Sequence, residues 1–219
     1  MQEWISLYPF RFRICSVNKI LLFLFCFFSL NGLAQTREYA VKVVGLRVGT
    51  IYATKTKLGD STSYELKSKV DVNFLVYKLK VDYQVRSVLS KGKLVNSLVK
   101  VESNKGNFLT DTQKTTEGYL VKSIQHEDKV NKKMNQDINS TFASIYFNEP
   151  NAKDKVYAEY YADFINITKP SPEYYKGVLN DNVDEYYYEN GELMKIVKKN
   201  KITDMVLEYQ EPSNKKVRK

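Results

Sequence analysis

His126 is the one imidazole in this chain, and it stands beside two acids, Glu127 and Asp128. A zinc centre draws on several His, Cys or carboxylate ligands, and a serine or cysteine nucleophile needs a positioned base. A single histidine after a strand-like run supplies neither, so we read it as an exposed loop residue. Asp181, Asp184 and Glu185 form the densest acidic cluster. A hard cation would favour several oxygens there. The run lacks the alternating Asp/Asn spacing and central glycine of a calcium loop, and Asn180, Asp181 and Asn182 fit a turn built on Asx side chains. Nothing in the spacing fixes the distance between two carboxylates that glycoside hydrolysis requires. No catalytic residue, metal or cofactor is therefore expected, and the chain does not read as an enzyme.

Gly45 and Gly49 in "VVGLRVGT" raise the question of a phosphate cradle. A dinucleotide or phosphate loop must open a helix, whose N-terminal N–H groups hold the anion. Here "TIYATKTK" follows, a strand-like run. The glycines fit a hairpin instead: Gly45 supplies positive φ at the turn, and Gly49 relieves crowding in the returning strand.

The aromatic residues carry the remaining chemical character. Tyr157, Tyr160, Tyr161 and Phe164 lie close together, as do Tyr174 with Tyr175 and Tyr186 with Tyr187 and Tyr188. Side chains alternate across a strand, so Tyr186 and Tyr188 share one face while Tyr187 takes the other. One reading places the tyrosines in a sheet core with hydroxyls at its rim. The sharper one is an apolar, tyrosine-rimmed groove on the concave face of a sheet, holding a lipid-like ligand. Its candidate lining is Tyr160, Tyr175, Tyr186 and Tyr188, faced by Phe74, Tyr77, Leu79 and Tyr83 of an earlier long strand. Periodicity does not say which face points inward.

The elements that would position these residues follow a period of two. Tyr64, Leu66 and Ser68 alternate with Glu65, Lys67 and Lys69, and Leu79, Val81 and Tyr83 alternate with Lys78, Lys80, Asp82 and Gln84. Such alternation marks strands with one buried and one wet face. Short turn signals separate the runs, and Asn190-Gly191 between "DEYYY" and "ELMKIV" predicts a type I′ hairpin. Residues 137–147, "DINSTFASIYF", break the rhythm; Ile138, Phe142, Ile145 and Tyr146 share a helical face, which predicts a short helix, with a strand as the alternative. Residues 129–136, "KVNKKMNQ", read as a polar, mobile connection.

The N-terminus reads as a secretory leader: Arg11, Arg13 and Lys19, then an uncharged apolar run from Ile20 to Leu30, then small residues at Gly32 and Ala34. That run is shorter than the roughly 20 residues of a membrane span. Cleavage is expected after Ala34, leaving no transmembrane span and a periplasmic or secreted protein. Both cysteines, Cys15 and Cys26, would leave with the leader, so the exported domain has no disulfide. The net charge is +9, with lysines spread over nearly every strand rather than gathered. Together with export, this argues for a solvated surface and against nucleic acid as a partner. Residues 212–219 read as a basic, disordered tail, and 35–211 as a single β domain.

Four pieces, "VGLRVGTI", "STFASIYFNEP", "VYAEYYADF" and "EYYYENGELMKIVK", resemble a family of exported β proteins of Bacteroidota-type bacteria, a domain of unknown function. That family is similar in turn to periplasmic proteins with a large curved sheet, of the lipoprotein-carrier kind. The resemblance implies no catalytic residue. The expected architecture is all-β and mainly antiparallel: a strongly curved sheet or partly open β-barrel, with one short helix packed against a face or plugging an end. The expected role is non-catalytic binding of an apolar or amphiphilic ligand. The alternative is an envelope interaction module, meeting a protein partner through an aromatic patch or a sheet edge.

Overall fold

The alternating runs fold into antiparallel strands of one sheet. A computed structural model of the protein describes residues 33–74, 77–125, 128–199 and 203–212. The expected leader up to residue 32, His126 and the tail beyond residue 212 lie outside the described residues, as do the side chains of Phe74 and Tyr77.

The first half of the domain is a meander: β1 (Leu33–Val43), β2 (Leu46–Leu58), β3 (Ser61–Phe74), β4 (Tyr77–Ser90), β5 (Lys93–Ser103), β6 (Phe108–Thr115), β7 (Gly118–Gln125) and β8 (Asp128–Met134). The second half is another: β9 (Lys155–Ala158), β10 (Asp163–Ser171), β11 (Tyr174–Leu179), β12 (Asn182–Glu189), β13 (Glu192–Lys199) and β14 (Met205–Gln210). The two join where β1 pairs with β14, giving a 14-stranded sheet with β8 at one edge and β9 at the other. The first strand begins at Leu33, two residues before the expected start of the domain.

Burial follows the alternation seen in the sequence. Tyr64, Leu66 and Ser68 are buried, whereas Glu65, Lys67 and Lys69 are not. Right-handed twist accumulates over so many strands, and bulges at Val41/Lys42, Val88/Leu89 and Tyr187/Tyr188 add to it. The sheet curls until its edges approach. Thr112 of β6 shares a 2.8 Å hydrogen bond with the Tyr157 hydroxyl of β9, and Lys132 of β8 donates to the carbonyl of Ala162. These are side-chain contacts; no ladder joins β8 to β9, so the sheet is not closed.

Residues 135–154 lead from β8 back to β9 across the concave face. Ile138 accepts from the Leu94 N–H of β5, and Arg37 of β1 donates to the Tyr146 carbonyl at 2.7 Å. Tyr188 of β12 donates to the Ile145 carbonyl, and Asn148 donates to the Tyr64 hydroxyl of β3. One segment touching β1, β3, β5 and β12 is possible only because those strands curve around it. The helix predicted over 137–147 shrinks to a 3-10 turn, Ser144–Tyr146. Thr141 and Ser144 hydrogen-bond each other's backbone, and the Glu159 carboxylate takes the N–H groups of Phe142 and Ala143. These side-chain partners replace the helical ladder. The polar run 129–136 is corrected too: most of it is edge strand β8, exposed except for Met134. Its lysines suit an edge, where charge deters pairing with another chain.

The opening hairpin has Val44 at φ 51° and Gly45 at φ 76°, so both central residues are left-handed, as at Asn190 and Gly191. A type I′ turn demands this, and Val44 is β-branched, which makes it costly. A Cβ on Gly49 would lie 2.5 Å from the Lys69 carbonyl oxygen, which is the crowding expected there. Val44 is 73% exposed and packs on nothing that a change would sacrifice. Val44→Asn should therefore stabilise the domain by about 1 kcal/mol and raise the thermal midpoint by about 2–4 °C. An unchanged or lower midpoint in thermal unfolding would contradict this account of the turn.

Candidate functional site

Between the crossing segment and one end of the sheet lies a cavity of about 350 Å³. Its floor is the inner face of β1 to β5 and β14, with Val41, Ile51, Leu79, Val81, Val101 and Leu207. Its roof is Phe142 and Tyr146 of the crossing segment, with Ala158 to Tyr161 after it. Strand period places the floor: Leu79, Val81 and Tyr83 point inward from β4, while Lys78, Lys80 and Asp82 occupy the other side of the pleat. A smaller recess of about 170 Å³ shares Tyr161, Ile165, Asp184, Lys198 and Met205 with the cavity and forms its polar mouth.

Polar groups are few in the cavity and each has a defined setting. Asp184 and Lys198 are cross-strand partners on β12 and β13 and form a 2.6 Å ion pair at the mouth. The Lys198 ammonium also lies 4.8 Å from the centre of the Phe142 ring, a cation–π arrangement. Asp184 has a second donor, the Tyr186 hydroxyl, at 3.4 Å. Glu159 is 1% exposed and accepts from Ser87 at 2.8 Å, from Phe142 N–H at 3.0 Å and from Ala143 N–H at 3.1 Å. Burial raises its pKa above the ordinary carboxylate range, and these hydrogen bonds pull the other way. The phenols of Tyr83 and Tyr146 are pushed up by burial, Tyr83 additionally by the nearby Glu159 and Tyr146 by Tyr39. Both therefore stay protonated and remain donors at physiological pH.

The sequence-derived lining divides in two. Leu79, Tyr83 and Tyr160 border the cavity. Tyr175, Tyr186 and Tyr188 pack in the core instead, at 2%, 0% and 2% exposure. Tyr188 holds the Ile145 carbonyl, and Tyr175 donates to Glu149 at 2.5 Å. Tyr175 and Tyr188 thereby anchor the crossing segment, Tyr186 donates to Asp184, and none of the three borders the cavity. Phe74 and Tyr77 are on β3 and β4, with side chains outside the described residues. Tyr187 points to the opposite face, stacked on Tyr174 at 5.1 Å. Residues that the sequence reading missed include Phe142, Tyr146, Glu159 and Lys198. Phe142 and Tyr146 were assigned to a helix face, and nothing local distinguishes Glu159 or Lys198 from the chain's surface charges.

The acidic cluster near the turn is split by the pleat. Asp184 faces the cavity, whereas Glu185 pairs with Lys199 and accepts from Tyr187 on the other side. Among the described residues, no three His, Cys, Asp or Glu side chains converge to hold a metal ion, and no helix is long and apolar enough to cross a membrane. A wider depression of about 630 Å³ lies over the far ends of β3 to β5, lined by charged residues such as Lys69, Asp71, Lys80 and Asp82. Those charges pair with one another, Lys69 with Asp82 and Lys80 with Asp71, so it is a shallow solvated surface. A family model described as a domain of unknown function (DUF6134) matches residues 39–210. No curated protein and no solved structure matches the chain.

Proposed function

The chain belongs to the DUF6134 family of unknown function, and we propose that it is an exported, non-catalytic module that binds an apolar or amphiphilic ligand, such as a lipid, beneath its concave face. The observation that carries this reading is the cavity: about 350 Å³, walled by aliphatic and aromatic side chains, with Asp184 and Lys198 at its mouth and the buried Glu159 engaged by the crossing segment. Ligand sites fall at roughly 300–1,000 Å³ and combine apolar walls with a few placed polar groups. Its carboxylates support a binding role over a catalytic one. Glu159 is spent on the crossing segment and Asp184 on Lys198. Export rests on the leader pattern of residues 1–34.

The interaction-module reading has less support. The exposed edge strand β8 carries Lys129, Lys132 and Lys133, which disfavour strand addition. The outward stack of Tyr174 and Tyr187 is tied up with Glu185 and Lys195.

Native mass spectrometry of the protein isolated from its own host is the direct test. The expected spectrum contains the chain plus a non-covalent, lipid-like mass that organic solvent removes. A bare chain alone, with a crystal structure in which side chains close the cavity, would overturn the reading.

A further inference from the structure

At the end of the strands away from the cavity mouth, two hairpins turn through a left-handed pair, Lys91-Gly92 and Asn190-Gly191. Both set a polar residue at the first position. The hairpin at the mouth end turns the same way with Val44-Gly45, and Val44 holds φ 51°. A β-branched residue there costs stability that asparagine would not. Burial does not offset the cost, because Val44 stands in solvent and Leu46, two residues on, is 57% exposed. Strain kept at an exposed apolar position calls for a contact made outside the chain.

The hairpin tip also sits on the lip of the cavity. Val43 pairs with Leu46 on one side and with Met205 on the other, and Met205 lines both the cavity and its mouth. Tyr161, 52% exposed, borders the same mouth. Directly behind the tip, Lys42 and Arg47 are cross-strand partners. Cations set opposite each other repel. Each holds an acid, Glu208 and Glu38, and the whole chain still carries +9.

We infer, resting on the binding reading above for the choice of partner, that Val44, Leu46 and Tyr161 dock the cavity mouth on an anionic lipid bilayer. The apolar side chains enter the interface, Lys42 and Arg47 lie at the level of the phosphates, and an apolar ligand passes between bilayer and cavity without crossing water. The negative surface attracts the basic chain, and burial of the tip holds it there. A protein partner fits less well: three residues fall far short of the roughly 20–30 a side that a stable protein interface uses.

The one tryptophan, Trp4, lies in the expected leader, so an added indole reports on its own site. Leu46→Trp, isolated from the host, is mixed with vesicles of phosphatidylcholine and phosphatidylglycerol in equal parts. Its emission should shift to the blue and be quenched by brominated acyl chains, while Leu98→Trp on the outer face should show neither effect. In co-sedimentation with the same vesicles, Val44→Asn combined with Leu46→Asn should lower the partition coefficient about tenfold or more. Val44→Asn alone should bind less while melting higher, a pair of effects that unfolding cannot produce. Undiminished binding to phosphatidylcholine alone would overturn the role given to Lys42 and Arg47. A parent that carries the lipid-like mass yet ignores the vesicles, or an indole at position 46 that stays in water, overturns the docking and leaves the cavity reading standing. A parent that docks but carries no such mass supports the docking and counts against the cavity reading alone.

Discussion

Glu159→Ala should destabilise the domain by about 3 kcal/mol or more, the largest single loss expected outside the turns. The carboxylate, directly after β9, ties together two other parts of the fold: Ser87 on β4, and the N–H groups of Phe142 and Ala143 in the crossing segment. Alanine would leave Ser87 and the Ala143 N–H without this acceptor, at about 1–3 kcal/mol for each one that stays buried, while the Phe142 N–H keeps the Tyr157 carbonyl at 2.8 Å. Burial of the charge offsets part of what the hydrogen bonds contribute, so the sum is smaller than two full penalties. For a domain of this size the thermal midpoint should fall by about 6–12 °C. A fall of less than a degree or two would show that the crossing segment is held without Glu159.

The same group sets a pH dependence whose sign can be worked out. Burial raises the folded-state pKa of Glu159 above the unfolded value. Between the two values the folded chain binds more protons than the unfolded chain, so stability falls as pH rises through that window. Below the ordinary carboxylate range the penalty is absent, and above the folded pKa it is complete. Glu159→Gln cannot titrate. Urea unfolding of both proteins across that range should show the wild type losing stability relative to the glutamine variant as pH increases. The opposite slope would mean that the hydrogen bonds outweigh burial and hold the group as a carboxylate.

Val81→Trp should abolish ligand binding, with at least about a hundredfold loss of affinity, while the fold persists. Val81 projects from the middle of β4 into the cavity and is only partly buried. An indole there takes up part of the cavity of about 350 Å³ that an apolar ligand would need. Its neighbours Val70 and Ser103 pair with it through the backbone, which the substitution leaves alone. Overpacking costs about 1–3 kcal/mol in a filled core, and open space reduces that here. Leu98→Trp, on the outer face at 46% exposure, is the control and should bind as the wild type does. If Val81→Trp, isolated from the same host, retained the lipid-like mass expected with the parent in native mass spectrometry, the ligand would have to sit elsewhere.

Much of the sheet was legible because a strand writes its two faces into consecutive residues. Tyr64, Leu66 and Ser68 against Glu65, Lys67 and Lys69 declared their faces, and Asn190-Gly191 declared its turn. Leu79 and Tyr83 could be assigned to a common wall for the same reason. Strand β8 was misread because its residues are exposed on both faces, so no apolar alternation marks it. The helix expected over 137–147 failed because its backbone partners lie far away in sequence, at Leu94 and Glu159. Nothing within the segment records them.

The sequence by itself determined an all-β, antiparallel domain and the pairing of residues on each face, since both depend on interactions between near neighbours. Only the tertiary structure decided which face curls inward, that a crossing segment covers part of it, and which tyrosines meet open space. Tyr83 and Tyr160 border the cavity, while Tyr175 and Tyr188 are buried against that segment and Tyr186 is buried in the core. The difference lies in how far the sheet curves and where the chain returns across it. Those are sums of twist and long-range packing over the whole sheet, and no short stretch of residues carries them.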